Sequence, residues 1–511
     1  MKALLSSLFI LSVTSFVVSC NSEDSPWYES TSLIDSNQRE DVMLIDPNST
    51  ELTSEDAIRV SNLFMERENI SPTSSFVSSS RNSSGILPIK SPDGNIVAYV
   101  VNYSPTGFSI ISATKKYSPI LAFSDKGCIT QSTIDNNSGL SWWVQCISND
   151  ILKAESEIKE NTPEYAMVRS EWLDYEKRDT EYMTATTTGN GYYWFVQLRD
   201  QMMSTVGMAE VRRNDFYYTA STYGVYYNSS NEEAYFSEMD RSLSNSYANN
   251  PPVPPSFVWG EGNLGSPSVI KIEPLLDTYW DQGYPYNLLL PLQNGSLTEH
   301  CPSGCVTIAT SQIMNYHSYP NTVDGTTIDW GQTQKRFASA DDIEIQRLIK
   351  VVNVGVETTS DGASNINKAQ RFLQRNDYQA NIYDSDIETV LVNEIKSNRP
   401  VYMRGDDNQV GHAWVCDGYY TKNQRRQIIA YSISSTQNIN FSSSPYHVYM
   451  SNTKTVNQGK FYHMNWGWGY GYMDESDPSQ LNNNSVGWYR SVFDVDRFNN
   501  SMKVMQVIPN K

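Results

Sequence analysis

The spacing of apolar residues in the N-terminal half of the chain predicts both strands and helices. Apolar residues crowd 96–103 and 108–113, and the turn residues Pro105-Thr106-Gly107 separate the two runs. This arrangement predicts a β-hairpin, and the apolar run 120–124 predicts a third strand. Helical spacing predicts two helices around these strands, one capped by Ser54-Glu55-Asp56 and one across 141–154.

In the C-terminal half, the sequence pattern predicts helices followed by strands. Cys305 to His317 predicts a helix with one apolar face, which Pro320 ends. Three more helices are predicted at 342–354, 366–375 and 385–396, the last from a capping-box pattern of Ser385 and Glu388. Strands are predicted at 401–404, 413–416, 427–433 and 461–465. Helices first and strands later indicate an α+β domain.

Length and local composition divide the chain further. At 511 residues, two or three domains are expected. Proline-rich 251–255 is stiff and suits a boundary. We therefore expect five segments, which are 1–20, 21–50, 51–161, 162–255 and 256–511. In order, they predict a targeting peptide, a polar tether, a small α+β domain, a connector and a larger α+β domain.

Charge narrows the set of partners. The formal net charge is -19 and the pI is about 4.7. An acidic chain repels phosphate backbones and anionic headgroups, so nucleic acid is not expected as a partner.

The first twenty residues have the features of an export signal. Lys2 precedes an apolar run that is too short to span a membrane and that ends at Val18-Ser19-Cys20. This end resembles a bacterial lipobox, which implies cleavage before Cys20, lipidation of its thiol, and an outer-membrane or cell-surface lipoprotein. Ordinary signal cleavage with an incidental cysteine is the alternative. In an oxidising compartment, Cys128 and Cys146 lie close enough in sequence to pair.

Candidate chemistry centres on Cys305 and His412. Cys305 follows Ser303-Gly304 at a predicted helix start, where free N–H groups and the helix dipole stabilise a thiolate. His412 follows Gly411 at a predicted strand start, a rigid position for a base. A buried structural cysteine is the alternative. A zinc site built on His300, Cys301 and Cys305 lacks a second ligand pair, so no metal or other cofactor is expected.

Two further segments carry supporting groups. Asn465-Trp466-Gly467-Trp468 ends a predicted strand, and an amide or indole there would orient the imidazole and exclude water. The sequence does not decide between Asn465 and Trp466, and simple aromatic packing is the alternative. Gln282 precedes the cysteine, and its amide with the Cys305 N–H would give two oxyanion donors. A surface glutamine is the default interpretation.

Taken together, these segments resemble the streptopain family of papain-like cysteine peptidases. The similar motifs occur in order through most of 256–511. They are Tyr279 to Asn287, Gly304-Cys305-Val306 through Met314, Asn398-Arg399-Pro400-Val401-Tyr402, Gly411-His412-Ala413, Asp417-Gly418, and Phe461 to Gly469. Residues 100–124 also resemble the inhibitory prodomain of that family.

The resemblance implies a papain-like α+β catalytic domain at 256–511, an inhibitory prodomain at 51–161 and a processing region at 162–255. Cys305 would be the nucleophile, His412 the base and Gln282 the oxyanion donor, and Trp466 with Asn465 would support the histidine. It also implies that Gly362, in the loop 360–364, and the Gly411 backbone line the substrate cleft, and that a bulky apolar residue precedes the scissile residue.

The chain departs from the family in two places. Residues 419–460 form an insertion that could overhang the cleft, and Cys301 lies four positions before the nucleophile, where it could bond reversibly to it or merely pack.

We therefore expect a secreted cysteine endopeptidase made as a zymogen, acting on protein or peptide substrates, with its own prodomain as a partner in cis and a lipid anchor to a membrane. A non-proteolytic amidase or transferase and an inactive binding lipoprotein are the alternatives.

Overall fold

The computed structural model describes most of the chain from residue 44 onward. The described residues are 44–46, 49–68, 82–104, 106–160, 162–172, 174–176, 208–210, 257–263, 266–406, 411–433, 446–469, 485–491 and 502–511. Leu44–Lys511 form one compact unit. The predicted targeting peptide, most of the tether and Cys20 lie outside the described residues, as does most of the predicted connector.

A four-stranded meander with helices forms the N-terminal region, defined here as residues 44–176. Its elements are α1 (Ser54–Arg67), β1 (Asn82–Lys90), β2 (Ile96–Ser104), β3 (Phe108–Ser112), β4 (Ile120–Ser124), α2 (Gln131–Asn136), α3 (Ser138–Glu157) and α4 (Pro163–Arg169). The predicted hairpin is confirmed, because β2 pairs with β3 in antiparallel register. Helix α1 is capped by Thr53 rather than Ser54, through a reciprocal pair of bonds with Asp56.

The rest of the chain is called here the C-terminal region, and its described residues form three short linking strands, five helices and the remaining strands. The linking strands are β5 (Met208–Glu210), β6 (Phe257–Asn263) and β7 (Ser268–Ile272). The helices are α5 (Cys305–His317), α6 (Trp330–Thr333), α7 (Ile343–Gly355), α8 (Ile366–Arg375) and α9 (Ile387–Lys396). The strands are β8 (Thr322–Val323), β9 (Thr326–Thr327), β10 (Tyr378–Tyr383), β11 (Val401–Asp406), β12 (Gly411–Ile433), β13 (Tyr446–Asn465), β14 (Gly487–Arg490) and β15 (Lys503–Pro509).

One continuous sheet joins the two regions. Its strand order is β1-β2-β3-β4-β14-β13-β12-β11-β15-β10. The junction is the pairing of β4 with β14, where Phe123 lies opposite Trp488 and Ala122 opposite Tyr489. Phe123 also contacts Phe461 at a ring-centroid distance of 5.1 Å. The N-terminal region therefore shares both backbone hydrogen bonds and an aromatic core with the C-terminal region.

Residues 419–433 and 446–460 of the expected insertion lie on β12 and β13, which pair as the two arms of a long hairpin. Strands β12 and β13 pair from Val415↔Asn465 out to Ile433↔Tyr446, and β6 and β7 pair along the other edge of β12. The segments 413–416 and 427–433, predicted as separate strands, are parts of one strand. Near its base, the hairpin contacts the N-terminal region, where Gln458 donates to the Asp174 carboxylate at 2.8 Å.

Side chains on β11 and β12 alternate between two cores. Val401, Met403 and Trp414 face the core that includes residues of α3 and α9. Tyr402, Ala413 and Val415 face the core built on α5, α7 and α8. This alternation follows from the two-residue repeat of a strand, so neighbouring residues of β11 and β12 pack into cores on opposite faces of the sheet.

The α+β fold class is confirmed, and the predicted ends of most helices hold to within a few residues. The capping box of Ser385 and Glu388 is wrong. Helix α9 begins after Asp386, which has a positive φ of 51° and makes no side-chain cap bond. The helix start is set instead by packing of the buried Ile387 and Leu391. No helix among the described residues is long and apolar enough to cross a bilayer.

Candidate active site

Cys305 is the first residue of α5, and the residue before it must be glycine. Gly304 has φ +80°, and a Cβ there would overlap the carbonyl oxygen of Gly362. Both the backbone conformation and the lack of space exclude a side chain. Asn353 fixes the same turn by donating to the Ser303 carbonyl at 3.0 Å. The Cys305 thiol is thus held at a helix N-terminus, with the loop that contains Gly362 packed beside it.

Opposing influences act on the Cys305 thiol. Burial raises its pKa above the ordinary value, whereas the Ala413 N–H, the Arg404 charge and N–H groups at the helix start pull it down. Burial is the largest of these causes, so in this state of the molecule the sulfur is held as a thiol. A thiolate requires a change in its surroundings.

Gln282 lies beside this turn and has an unused donor. The side chain is 7% exposed, and its Nε2 is buried with no hydrogen-bond partner. Its backbone carbonyl accepts from the Ser303 N–H at 2.8 Å and from the Ser303 hydroxyl at 3.0 Å. A buried amide without a partner is costly, about 1–3 kcal/mol, and such groups in native structures call for a reason. The Gln282 backbone is therefore tied to the Cys305 turn while its side-chain donor stays available.

His412 is buried, and both of its ring nitrogens are engaged. Nε2 lies 2.7 Å from the Trp466 carbonyl oxygen, and Nδ1 lies 2.9 Å from the Ser138 hydroxyl. The ring is stacked between Trp414 and Trp468, with interplanar angles of 11° and 17°. With these partners, neither nitrogen is left to take the proton of Cys305.

The protonation state of His412 follows from the same surroundings. Its pKa is lowered from 6.5 to about 4, mainly by burial; the bond to the Trp466 carbonyl opposes this shift, and the Arg404 charge adds a smaller lowering. The imidazole is therefore neutral at pH 7. A buried thiol and a neutral imidazole whose nitrogens are both engaged are not an activated pair.

The start of helix α3, in the N-terminal region, occupies the space next to His412. A Cβ on Gly139 would overlap His412 Cδ2 and lie 2.6 Å from Trp466 Cε3. Asn137, the N-cap residue, accepts from the Leu140 N–H and donates to the Ser485 hydroxyl at 2.9 Å. Trp142 stands against Trp414 at 5.4 Å. The first turn of α3 is thereby packed tightly against the C-terminal region next to His412.

Asn465 and Trp466 take different positions. The Asn465 amide donates to the Thr278 carbonyl at 2.6 Å and exchanges bonds with the Gln312 side chain, and it makes no bond to His412. Trp466 reaches His412 through its carbonyl, and its indole donates to the Ser485 carbonyl at 3.2 Å. In this state Trp466 contacts the imidazole, and Asn465 organises the segment before it.

The remaining predicted residues surround the same turn. Gly362 has φ +85° and contacts Pro302, which places its loop against the approach to Cys305. Gly411 begins β12 opposite Asp406 and directly precedes His412. Cys301 is 8% exposed, and its carbonyl accepts from the Asn287 amide at 3.2 Å. Cys128 and Cys146 are half-buried thiols in the N-terminal region.

Sequence reasoning missed Ser138, Gly139 and Arg404. The segment Asn137-Ser138-Gly139 has a recognisable signal, since asparagine is a good N-cap and glycine is unusual inside a helix. Nothing in the sequence shows that this helix start meets a histidine 274 positions away.

Comparison with protein families identifies both regions. Residues 280–354 and 344–475 match the model described as Peptidase C10 family, and residues 49–151 match the one described as Spi protease inhibitor. The C-terminal region is thus similar to the peptidase C10 family, and the N-terminal region to a protease inhibitor. The inhibitor match covers β1 to β4 and most of α3, the helix whose first turn contacts His412.

Two named peptidases are among the curated proteins similar to this chain. Streptopain from Streptococcus pyogenes is 24% identical over 266 residues, covering 41% of this chain and 58% of streptopain. The thiol protease/hemagglutinin PrtT of Porphyromonas gingivalis is 25% identical over 197 residues, covering 29% of this chain and 22% of that protein. The chain thus spans little more than half the length of the streptopain it matches.

Solved structures with similarity to the chain come from Prevotella intermedia. A prointerpain A fragment is 15% identical, covers 83% of this chain and 98% of that one, and gives a TM-score of 0.39. Active interpain A, a cysteine protease, is 18% identical, covers 46% of this chain and 94% of that one, and gives a TM-score of 0.27.

Proposed function

We propose that this chain is a cysteine endopeptidase made as a zymogen, with Cys305 as nucleophile and His412 as base. The observation that carries the proposal is the contact of His412 Nδ1 with Ser138, a residue of the region that matches a protease inhibitor. The contact occupies the nitrogen that would otherwise accept the proton of Cys305. The family match supports a thiol peptidase, and the captured histidine supports latency.

The reaction would begin when the first turn of α3 withdraws. His412 Nδ1 would then be released to take the proton of Cys305, giving a thiolate and an imidazolium. The thiolate would attack the scissile carbonyl carbon, and the oxygen would become an oxyanion. Gln282 Nε2 and the Cys305 N–H would donate to it, each such donor being worth about 3 kcal/mol of barrier.

Collapse of this intermediate would break the peptide C–N bond. The His412 imidazolium would donate its proton to the leaving amine, which departs while the acyl group stays on Cys305. A water molecule, deprotonated by His412, would then release the acyl group as a carboxylate. Trp414 and Trp468 would keep the imidazole in one orientation, and the Trp466 carbonyl would hold Nε2–H throughout.

Substrate would lie along the cleft beside Cys305, with backbone groups of Gly362 and Gly411 on its walls. We also propose that the chain is exported and lipidated on Cys20, and that cleavage between the two regions frees the C-terminal region from this anchor. Metabolic labelling with a fatty acid tests the anchor: the wild type should incorporate label, and Cys20→Ala should not. Label on both would assign the lipid elsewhere.

Mass spectrometry of the full-length chain and its Cys305→Ala variant, incubated side by side under mild reduction, tests the main proposal. The wild type should shorten to a fragment that begins after residue 161, with the variant intact. Both forms should then be assayed on casein after cleavage by an added protease. A cleaved wild type that hydrolyses small amides but no protein would indicate an amidase or transferase; one with no turnover would indicate a binding protein.

A further inference from the structure

A cation stands at the candidate active site that the reaction above does not use. Arg404 lies on β11, opposite Ala413 of β12 on one side and opposite Lys503 of β15 on the other. Residues directly opposite in a sheet project from the same face. Arg404 therefore shares a face with Ala413, the residue that follows His412.

That face is the one packed against α5, the helix that begins at Cys305. Tyr402, two positions before Arg404 and on the same face, is fully buried in the α5 core, and Cys305 packs against that core. Arg404 itself is half-buried, two residues before the end of β11 at Asp406. The guanidinium is thus mounted on a rigid strand, with part of its surface accessible.

The charge of Arg404 affects the pKa values of both Cys305 and His412. Arg404 lowers the pKa of the Cys305 thiol and also lowers the pKa of the His412 imidazole. No other cation has this effect on both groups among the described residues. Arg404 lies opposite Ala413, whose backbone N–H bonds the Cys305 thiol, and this pairing places the guanidinium close to where the scissile bond would lie.

We propose that Arg404 is a specificity-determining residue that receives a carboxylate of the substrate next to the scissile bond. The inference rests on the proposed peptidase function and adds a substrate class to it. Guanidinium pairs with carboxylates through two parallel bonds and keeps its charge at every relevant pH. The net charge of -19 repels acidic peptides at long range, so a preference for them has to come from a local contact.

A carboxylate can come from two sources, an Asp or Glu side chain or the free C-terminus of a short peptide. Both present the same group to Arg404. Matched substrates separate them: one pair has Glu or Gln at each position flanking the scissile bond, and a second pair ends in a free acid or an amide. The apolar preference implied by the family resemblance predicts no advantage for either acidic member.

The experiment uses the full-length chain after its processing, in four forms: wild type, Arg404→Gln, Arg404→Lys and Lys503→Gln. Lys503 is the matched control, because it is a cation at the same level of the sheet but one strand farther from Ala413. The first readout is the rate of Cys305 alkylation by anionic iodoacetate relative to neutral iodoacetamide. Both reagents need the thiolate, so their ratio cancels any change in the Cys305 pKa.

We expect Arg404→Gln to lower the iodoacetate-to-iodoacetamide ratio about tenfold, with Lys503→Gln within about twofold of wild type. In kcat/KM, wild type should favour one acidic substrate over its neutral match by about tenfold. Arg404→Gln should remove this preference, and Arg404→Lys should keep part of it. The position and the pair at which the preference appears identify the source of the carboxylate.

Two results would overturn the inference while leaving the peptidase intact. One is a wild type that cleaves neutral and acidic matches equally; the other is an acidic preference that survives Arg404→Gln. Failure of the proposed function looks different, because Cys305 would then react with neither reagent faster than a surface thiol, and no peptide would be cut. Thermal unfolding of all four proteins separates loss of fold from loss of preference.

Discussion

Ser138 Oγ lies 2.9 Å from His412 Nδ1, so a hydroxyl from an inhibitor-like helix takes the nitrogen that a catalytic cysteine would need. The two residues are far apart in sequence and belong to regions joined by one continuous sheet. Under the proposed function, latency would come from this local capture of the histidine, and the shared core would hold the capturing helix in place.

Gly139→Ala should loosen the capture. Its methyl group would overlap His412 Cδ2 and lie 2.6 Å from Trp466 Cε3, so the first turn of α3 could not stay in place. Overpacking of this kind costs about 1–3 kcal/mol, and we expect self-processing to accelerate about tenfold or more. The half-time of conversion on a gel measures it. Gly85→Ala is the control, because a Cβ there meets nothing within 4 Å; equal half-times for the two variants would contradict the capture.

Acid should release the captured histidine. The His412 pKa is about 4 in the docked state, below its ordinary value of 6.5, so the docked state is disfavoured as the ring gains a proton. Any stability that docking gains from keeping His412 neutral is fully present above pH 6.5 and is lost as pH falls toward 4, with about 3 kcal/mol as its upper bound. In a Cys305→Ala background, protease sensitivity of the chain should rise between pH 7 and 5.

The assignment to His412 needs its own control, because Glu171 titrates in the opposite sense. Burial raises the pKa of this carboxyl, which faces Arg490 and Ser118 at the junction of the regions, so acid favours its docked form. His412→Gln should flatten the pH response, and Glu171→Gln should leave the rise in place. A response unchanged by His412→Gln would assign the pH dependence to another group.

Gln282→Leu should lower kcat about 100-fold or more, with a small effect on KM, because one oxyanion donor is lost. Stability should stay level or rise, since the Gln282 Nε2 is buried without a partner and its removal ends that cost. Steady-state kinetics and thermal unfolding give the two numbers. Gln293→Leu, on the exposed loop that follows, should change neither; an active but unstable Gln282→Leu would make Gln282 a structural residue.

Substitution of Asn465 should reduce stability, whereas substitution of Trp466 should reduce activity. Asn465→Ala breaks the bonds to Thr278 and Gln312, so we expect about 2–3 kcal/mol less stability. Trp466→Phe keeps the carbonyl that binds His412 Nε2 and should lose activity only several-fold. A stable Asn465→Ala enzyme with a displaced pH-rate profile would instead place Asn465 at the histidine once the helix has withdrawn.

Local sequence signals determined the elements that carry the candidate pair. The helix at Cys305–His317 follows from its apolar face and from Gly304 and Pro320 at its ends, since period and end signals are local. The hairpin of β2 and β3 follows from two apolar runs separated by turn residues that include Gly107. The failure at Ser385 shows the limit, because packing of Ile387 and Leu391 outweighed a cap pattern.

The residue types of the pair, the order of the motifs and the α+β class were determined by the sequence alone. Only the tertiary structure decided that Ser138 contacts His412, that the Gln282 Nε2 is left without a partner, that β12 and β13 pair along their length and that Arg404 lies opposite Ala413. The physical reason is that each of these depends on contacts between segments far apart in the chain. Hydrophobic period and end signals report only on neighbours within a few residues, whereas burial, charge and hydrogen-bond partners are fixed when the sheet closes.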